Sequence, residues 1–194
     1  MVVKKDEVRS KIIKVAAKIF TRYGFKKTTM EQIAVATRKG KSSIYYYFNS
    51  KEDIFRAVVE QEAEELKRDL LREVSLIEDP VEQLRTYILF RTHKMKTLTN
   101  FYAAMKSEYL NHLEFIEQIR TDYDQNEAVI VTEILRRGLR HNKFVIEDPE
   151  LGAVAIVTAM KGLEIPLFIN KSHGNIEDRL DNLIKFLFYG LVKR

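Results

Sequence analysis

Cysteine is absent from the 194-residue chain, which excludes disulfides, thiolate metal sites and a cysteine nucleophile. Long apolar runs are missing too. The densest, Val154 to Met160, falls far short of the roughly 18 residues of a membrane span. The opening stretch, MVVKKDEVRSKIIKVAAKIF, threads lysines through its apolar positions and lacks the unbroken core of a signal peptide. A cytoplasmic protein is the expectation. The seven glycines are scattered, and no glycine-rich phosphate loop, G-x-S-x-G or H-E-x-x-H occurs. Neither an enzyme nor a cofactor is therefore expected. Four histidines without cysteine, with His93 and His112 19 residues apart, give no metal-ligand spacing, so no metal is expected.

What is present is a folded composition, 45% hydrophobic and 31% charged, with its charge unevenly placed. Residues 1–56 hold 14 Lys and Arg against 5 Asp and Glu, a net of +9; the remainder holds 19 against 23, a net of −4. A basic quarter on an acidic body points to an anionic partner for the first and not the second.

The hydrophobic pattern is helical throughout, and no segment alternates with a period of two. Val8, Ile12, Ala16, Ile19, Phe20 and Tyr23 share one face of a first helix, and Gly24-Phe25 reads as its stop. Thr28 or Thr29 can cap a second, short helix, with Glu31 or Gln32 returning the bond. The turn RKGK leads to a third helix from Ser42 through Phe48, and Ser50 caps a long fourth, with Asp53 three positions on. Asp79-Pro80-Val81-Glu82, Asp148-Pro149-Glu150 and Asn175 with Asp178 mark three later starts. About nine helices and no sheet are expected: an all-α fold with a three-helix head over residues 1–50 and a helical body over 51–194, connected by helix four.

Two short helices joined by a tight turn behind a longer one form a helix-turn-helix, whose second short helix can enter a DNA major groove. That arrangement accounts for three consecutive tyrosines. Ile44 and Phe48, four apart, point into the small core, while Tyr45, Tyr46 and Tyr47 sweep the remaining circumference. Their hydroxyls can donate to phosphate oxygens; packing against helix one or four is the alternative for each. Lys39, in the turn, can lay its aliphatic stem on the surface and carry its charge toward DNA.

The stretch TTMEQIAVATRKGKSSIYYYFNSKEDIF resembles the DNA-binding signature of the tetracycline-repressor (TetR) family of transcriptional regulators. The specific pieces are Thr29 before the I-A helix, IYYYF, and SKEDIF, within about residues 8–56. The resemblance implies a homodimer that places its third helices in successive major grooves of an inverted-repeat operator. It also implies a body whose small-molecule effector releases the DNA. Carried onto this chain, Thr29, Tyr45 and Tyr46 would meet phosphate, Lys41, Ser42 and Ser43 would reach base edges, and Lys51 would anchor the flanking backbone. The family's turn is often Gly-Val-Ser-like; here Arg38, Lys39 and Gly40 stand in those places. A left-handed residue would then fall on Arg38, unless the turn shifts toward Gly40.

Two further expectations concern the body. DPELGAVAIVTAMKGLEIPLFIN is apolar on nearly all sides, and the last helix offers more apolar faces than one chain can bury. A partner subunit absorbing that excess places Gly152, Ala155, Ala159, Leu163, Leu180, Ile184, Leu187 and Phe188 at a dimer interface. The aromatic middle supplies Tyr87, Phe90, His93, Tyr102, Met105, Tyr109 and Tyr123 as pocket candidates for an apolar or amphipathic ligand, with ordinary core as the alternative. The functional expectation is a dimeric repressor released by a ligand. The alternative is a DNA-binding adaptor whose body binds another protein.

Overall fold

The computed structural model describes residues 2–106, 114–169, 178, 181–182 and 184–186, with side chains left aside at 2–5, 96, 102, 104–106 and 163–169. The described residues form eight helices: α1 (Val2–Lys27), α2 (Met30–Thr37), α3 (Lys41–Tyr45), α4 (Lys51–Ser75), α5 (Pro80–Thr97), α6 (Thr99–Lys106), α7 (Glu114–Arg140) and α8 (Pro149–Ile169). The described parts of 178–186 are helical as well. The all-α expectation holds. The chain groups into two compact units, 1–64 with 98–117 and 65–97 with 118–194.

In the first unit α1 packs on α2 and α6, and α2 packs on α3. The helical trace of α1 runs through Gly24, which nevertheless sits at φ 77° and ψ 160°, so the glycine stop read from sequence is a kink. Behind it Phe25 joins Phe20 and Phe55 in an aromatic trio with centroids 4.8–6.0 Å apart. Thr28 is buried and donates its hydroxyl to the Gly24 carbonyl (2.8 Å), so capping falls to Thr29 alone. The Thr29 hydroxyl accepts from the Gln32 amide and the Gln32 side chain accepts from the Thr29 amide, a complete capping box. Ile12, Ala16, Phe20, Ile33, Ile44, Phe48, Ile54 and Phe55 are all buried.

A polar cluster crosses this unit. The Asn100 side-chain amide donates to Ala17 O (3.2 Å), Thr21 Oγ1 (3.1 Å) and Glu62 Oε1 (2.7 Å), and the Phe101 amide donates to Glu62 Oε2 (2.7 Å). Glu62 thus holds the first turn of α6, where free backbone amides favour a carboxylate.

The second unit is built on Leu70 and Val74 of α4, Leu84, Tyr87 and Ile88 of α5, Ile130, Val131, Ile134 and Leu135 of α7, and Ala153, Ile156, Val157 and Met160 of α8. Its starts follow the sequence signals. Asp79 Oδ1 accepts from the Val81 and Glu82 amides (2.8 and 3.2 Å), and Asp148 Oδ1 accepts from the Leu151 amide (2.9 Å). The start at Asn175 lies outside the described residues. α7 ends at Arg140, and the turn behind it places Asn142 at φ 55°, with the Lys143 and Phe144 amides returning to Gly138 O.

Burial works against ionisation of Asp79, but the two amides and Lys143 outweigh it and hold the carboxyl below its ordinary value. A lowered folded-state value means stability that is present above the unfolded pKa and lost as pH falls through the folded one. Asp79→Ala is expected to cost about 1 kcal/mol at neutral pH. The gap to wild type should close in acid below about pH 4, as read by urea melts across pH.

Candidate nucleic-acid interface and interior polar cluster

The turn between α2 and α3 resolves the question left by the sequence. Arg38 takes the left-handed conformation (φ 56°, ψ 42°), while Gly40 is extended (φ −67°, ψ 150°). The amides of Arg38 and Lys39 return to Val35 O and Ala34 O (both 3.0 Å), closing α2 with an arginine where glycine is favoured. Lys39 is half-buried, consistent with a packed stem.

α3 is shorter than the sequence pattern indicates, because the chain leaves the helix at Tyr46 rather than continuing to Phe48. The inward pair is as expected: Ile44 is fully buried and Phe48 nearly so. Tyr45 and Tyr46 are 44% and 68% exposed, which leaves both hydroxyl-bearing edges on the surface. Tyr47 is half-buried and packs edge-on to Tyr46, with centroids 5.1 Å apart. Thr29, Lys41 and Ser42 are exposed, and Ser43 is half-buried. The Lys41 ammonium pairs with Glu31 and lies 6.0 Å from the Tyr45 ring centroid. Lys41 in turn holds the Glu31 carboxyl below its ordinary value through that hydrogen bond. Lys51 sits 4.3 Å over the Phe25 ring, at the start of α4. There Ser50 Oγ accepts from the Asp53 amide (3.0 Å) and Asp53 accepts from the Asn49 amide (3.2 Å). Fixed turns therefore carry α3 on a core of Ile44 and Phe48, with hydroxyls and ammonium groups outward.

The residues read from sequence as pocket or dimer candidates scatter. Tyr87 and Tyr123 are buried, Phe90 packs partly against the core, and His93 is exposed, with Nδ1 2.8 Å from Leu89 O. The side chains of Tyr102, Met105 and Leu163, and all of Tyr109, Leu180, Leu187 and Phe188, lie outside the described residues. Ile184 belongs to the chain's own core, and a Cβ on Gly152 would point at Ile146, 2.2 Å from its Cδ1. Ala155 is exposed and Ala159 half-buried. Around Ala155, α8 shows an exposed stripe of Leu151 (67%), Val154 (51%), Ala155, Thr158 and Gly162.

Sequence reasoning missed a charged pair in the body's interior. Arg91 and Glu127 are each 1% exposed, and Arg91 Nε donates to Glu127 Oε1. Tyr123 Oη donates to the same oxygen at 2.8 Å, and its ring lies 5.7 Å from the guanidinium. Burial pushes the Tyr123 hydroxyl well above its ordinary pKa, against the pull of Arg91, so it remains a donor. The legible signal was periodicity: Arg91 falls on the buried stripe of Leu84, Tyr87 and Ile88, and Glu127 on that of Tyr123, Ile130 and Val131.

A basic head with an outward-facing short helix held by a tight turn defines a helix-turn-helix DNA-binding protein. The family model described as bacterial regulatory proteins, tetR family, matches residues 12–58. The HTH-type transcriptional regulator YhgD of Bacillus subtilis is 37% identical over 150 residues, covering 75% of this chain and 76% of that one. The HTH-type transcriptional repressor NicS of Pseudomonas putida is 29% identical over 145 residues, 71% of this chain and 53% of NicS, so the chain spans about half that relative's length. A transcriptional regulator from Saccharomonospora viridis, solved in complex with choline, superposes with a TM-score of 0.82 at 19% identity, over 97% of this chain and 100% of that one. This chain belongs to the tetR family: it is a DNA-binding transcriptional regulator. Among the described residues no helix is long and apolar enough to cross a membrane.

Proposed function

We propose that the protein is a homodimeric repressor that binds an inverted-repeat operator and is released from it by a small apolar or amphipathic effector. The observation that carries this reading is the outward set on a head of net charge +9: Thr29, Lys41, Ser42, Tyr45 and Tyr46 face solvent while Ile44 and Phe48 hold α3 from beneath. Thr29, Tyr45, Tyr46 and Lys51 meet phosphates, Lys41, Ser42 and Ser43 reach base edges, and Lys39 adds charge beside the groove. The exposed apolar stripe of α8 pairs with the same stripe of a second copy, which puts Leu151, Val154 and Ala155 at the two-fold. The effector acts through α4, whose residues belong partly to each unit.

Selection of random double-stranded DNA by the purified protein at physiological salt tests the reading. An enriched inverted repeat supports it; salt-sensitive binding with no enriched motif overturns it. On the selected site, Tyr45→Phe is expected to weaken binding about tenfold, equally on all variants, since each head loses a phosphate bond of about 1 kcal/mol or less. Ser43→Ala should instead change the preferred bases. Titrations of both variants on a panel of single-base operator changes separate the two roles.

A further inference from the structure

The first unit carries a groove that none of the proposed DNA contacts lines. The last turns of α1, Phe55 of α4 and the first turns of α6 surround about 520 Å³ that opens to solvent. All of these residues belong to the same compact unit. The base is aromatic: Phe20 and Phe55 are buried, and Phe25 lies half-buried against both, with centroids 6.0 and 4.8 Å away. Asn100 adds a polar wall whose orientation is fixed, because Ala17 O, Thr21 Oγ1 and Glu62 Oε1 hold its amide nitrogen. A Cβ at Gly24 would meet no heavy atom within 4 Å, so the groove is open along that stretch. Its form, apolar at the base and polar at a few fixed points, is that of a preformed small-molecule site.

The charges limit what can occupy it. Lys26 and Lys27 stand exposed among the lining residues, and no carboxylate is among them. A third ammonium, that of Lys51, lies 4.3 Å from the Phe25 ring centroid. This field repels a cation, and an uncharged hydrocarbon leaves it unused. We propose that the groove is a ligand site on the DNA-binding unit itself, and that it takes an amphipathic carboxylate. The apolar body lies on Phe20, Phe25 and Phe55, and the anion meets Lys26 and Lys27. That places the ligand two residues short of Thr29, the cap assigned above to phosphate. The site is separate from the interior of the second unit, and its occupancy is measured without DNA. Its failure therefore leaves the repressor reading to be judged by the operator selection.

The test titrates the full chain at low salt with two probes that share one body, 4-phenylbutyrate and the uncharged 4-phenylbutanol, followed by calorimetry. The acid is expected to bind about three- to tenfold more tightly than the alcohol, the advantage of a partly exposed ion pair. Lys26→Gln with Lys27→Gln should remove that advantage and leave the affinity for the alcohol unchanged. Ala103→Phe fills the groove from an exposed position on α6 and should abolish binding of both probes with Tm unchanged. An alcohol that binds as tightly as the acid, binding untouched by Ala103→Phe, or no binding of the acid overturns the proposal. So does a preference for the acid that survives the lysine change, which would assign those lysines to DNA alone.

Discussion

Alanine at Glu127 is expected to remove about 3–5 kcal/mol of stability, because it takes away the buried carboxylate to which both Arg91 and Tyr123 donate. Few domains have much more than 5–15 kcal/mol in total, so the variant should unfold near physiological temperature or fail to accumulate. Glu127 does two things for the interior: Oε1 balances Arg91, and it accepts the Tyr123 hydroxyl at 2.8 Å. Truncation ends both and leaves a cavity as well. Replacing Arg91→Met, Tyr123→Phe and Glu127→Leu together makes the result diagnostic, since removing the three polar groups at once is expected to be neutral or stabilising. Urea melts of the two variants check this directly. A Glu127→Ala protein within about 1 kcal/mol of wild type would mean that Arg91 finds its charge balanced elsewhere.

The second large effect concerns the turn before α3, where stability and affinity should move in opposite directions. Arg38→Gly relieves a left-handed arginine (φ 56°) and is expected to stabilise the protein by about 0.5–1 kcal/mol. Combined with Lys39→Val it removes two positive charges from each head. If all four in the proposed homodimer sit near phosphates, the slope of log affinity against log salt falls by about 3 to 4 units, at roughly 0.9 per phosphate. Wild type should then lose about 100-fold more affinity than the double variant between about 50 and 200 mM salt. Thermal melts and operator titrations at several salt concentrations measure the two halves. A more stable double variant with an unchanged salt slope would place these charges away from DNA.

The pattern of legibility follows the range of the interactions. Caps are local: Thr29 with Gln32, Ser50 with Asp53, and the turns at Asp79 and Asp148 each close within three residues, so residue type and spacing announce them. The inward pair Ile44 and Phe48 was equally readable, being one helical turn apart. The length of α3 was not: it closes after five residues, at Tyr45, where the sequence pattern ran on to Phe48. Arg91 and Glu127 were missed for a different reason. Periodicity places each on a buried stripe, but they are 36 residues apart, and nothing local pairs an arginine within TYILFRTHK with a glutamate on α7. The exposure of His93 is a similar case, since its place on α5 is settled by which side of that helix faces the core.

Gly24 carries a consequence for the mutational history of the head. A Cβ placed there would have no heavy atom within 4 Å, so by volume the site tolerates any side chain. Its backbone, at φ 77° and ψ 160°, lies in a region that residues with a Cβ scarcely enter. In a library of every single substitution, position 24 should therefore be depleted across all nineteen alternatives, although a Cβ there would meet no neighbour. Position 38, with its own positive φ, should show the reverse for folding, with glycine enriched. The two positions separate a constraint written in the main chain from one written in contacts.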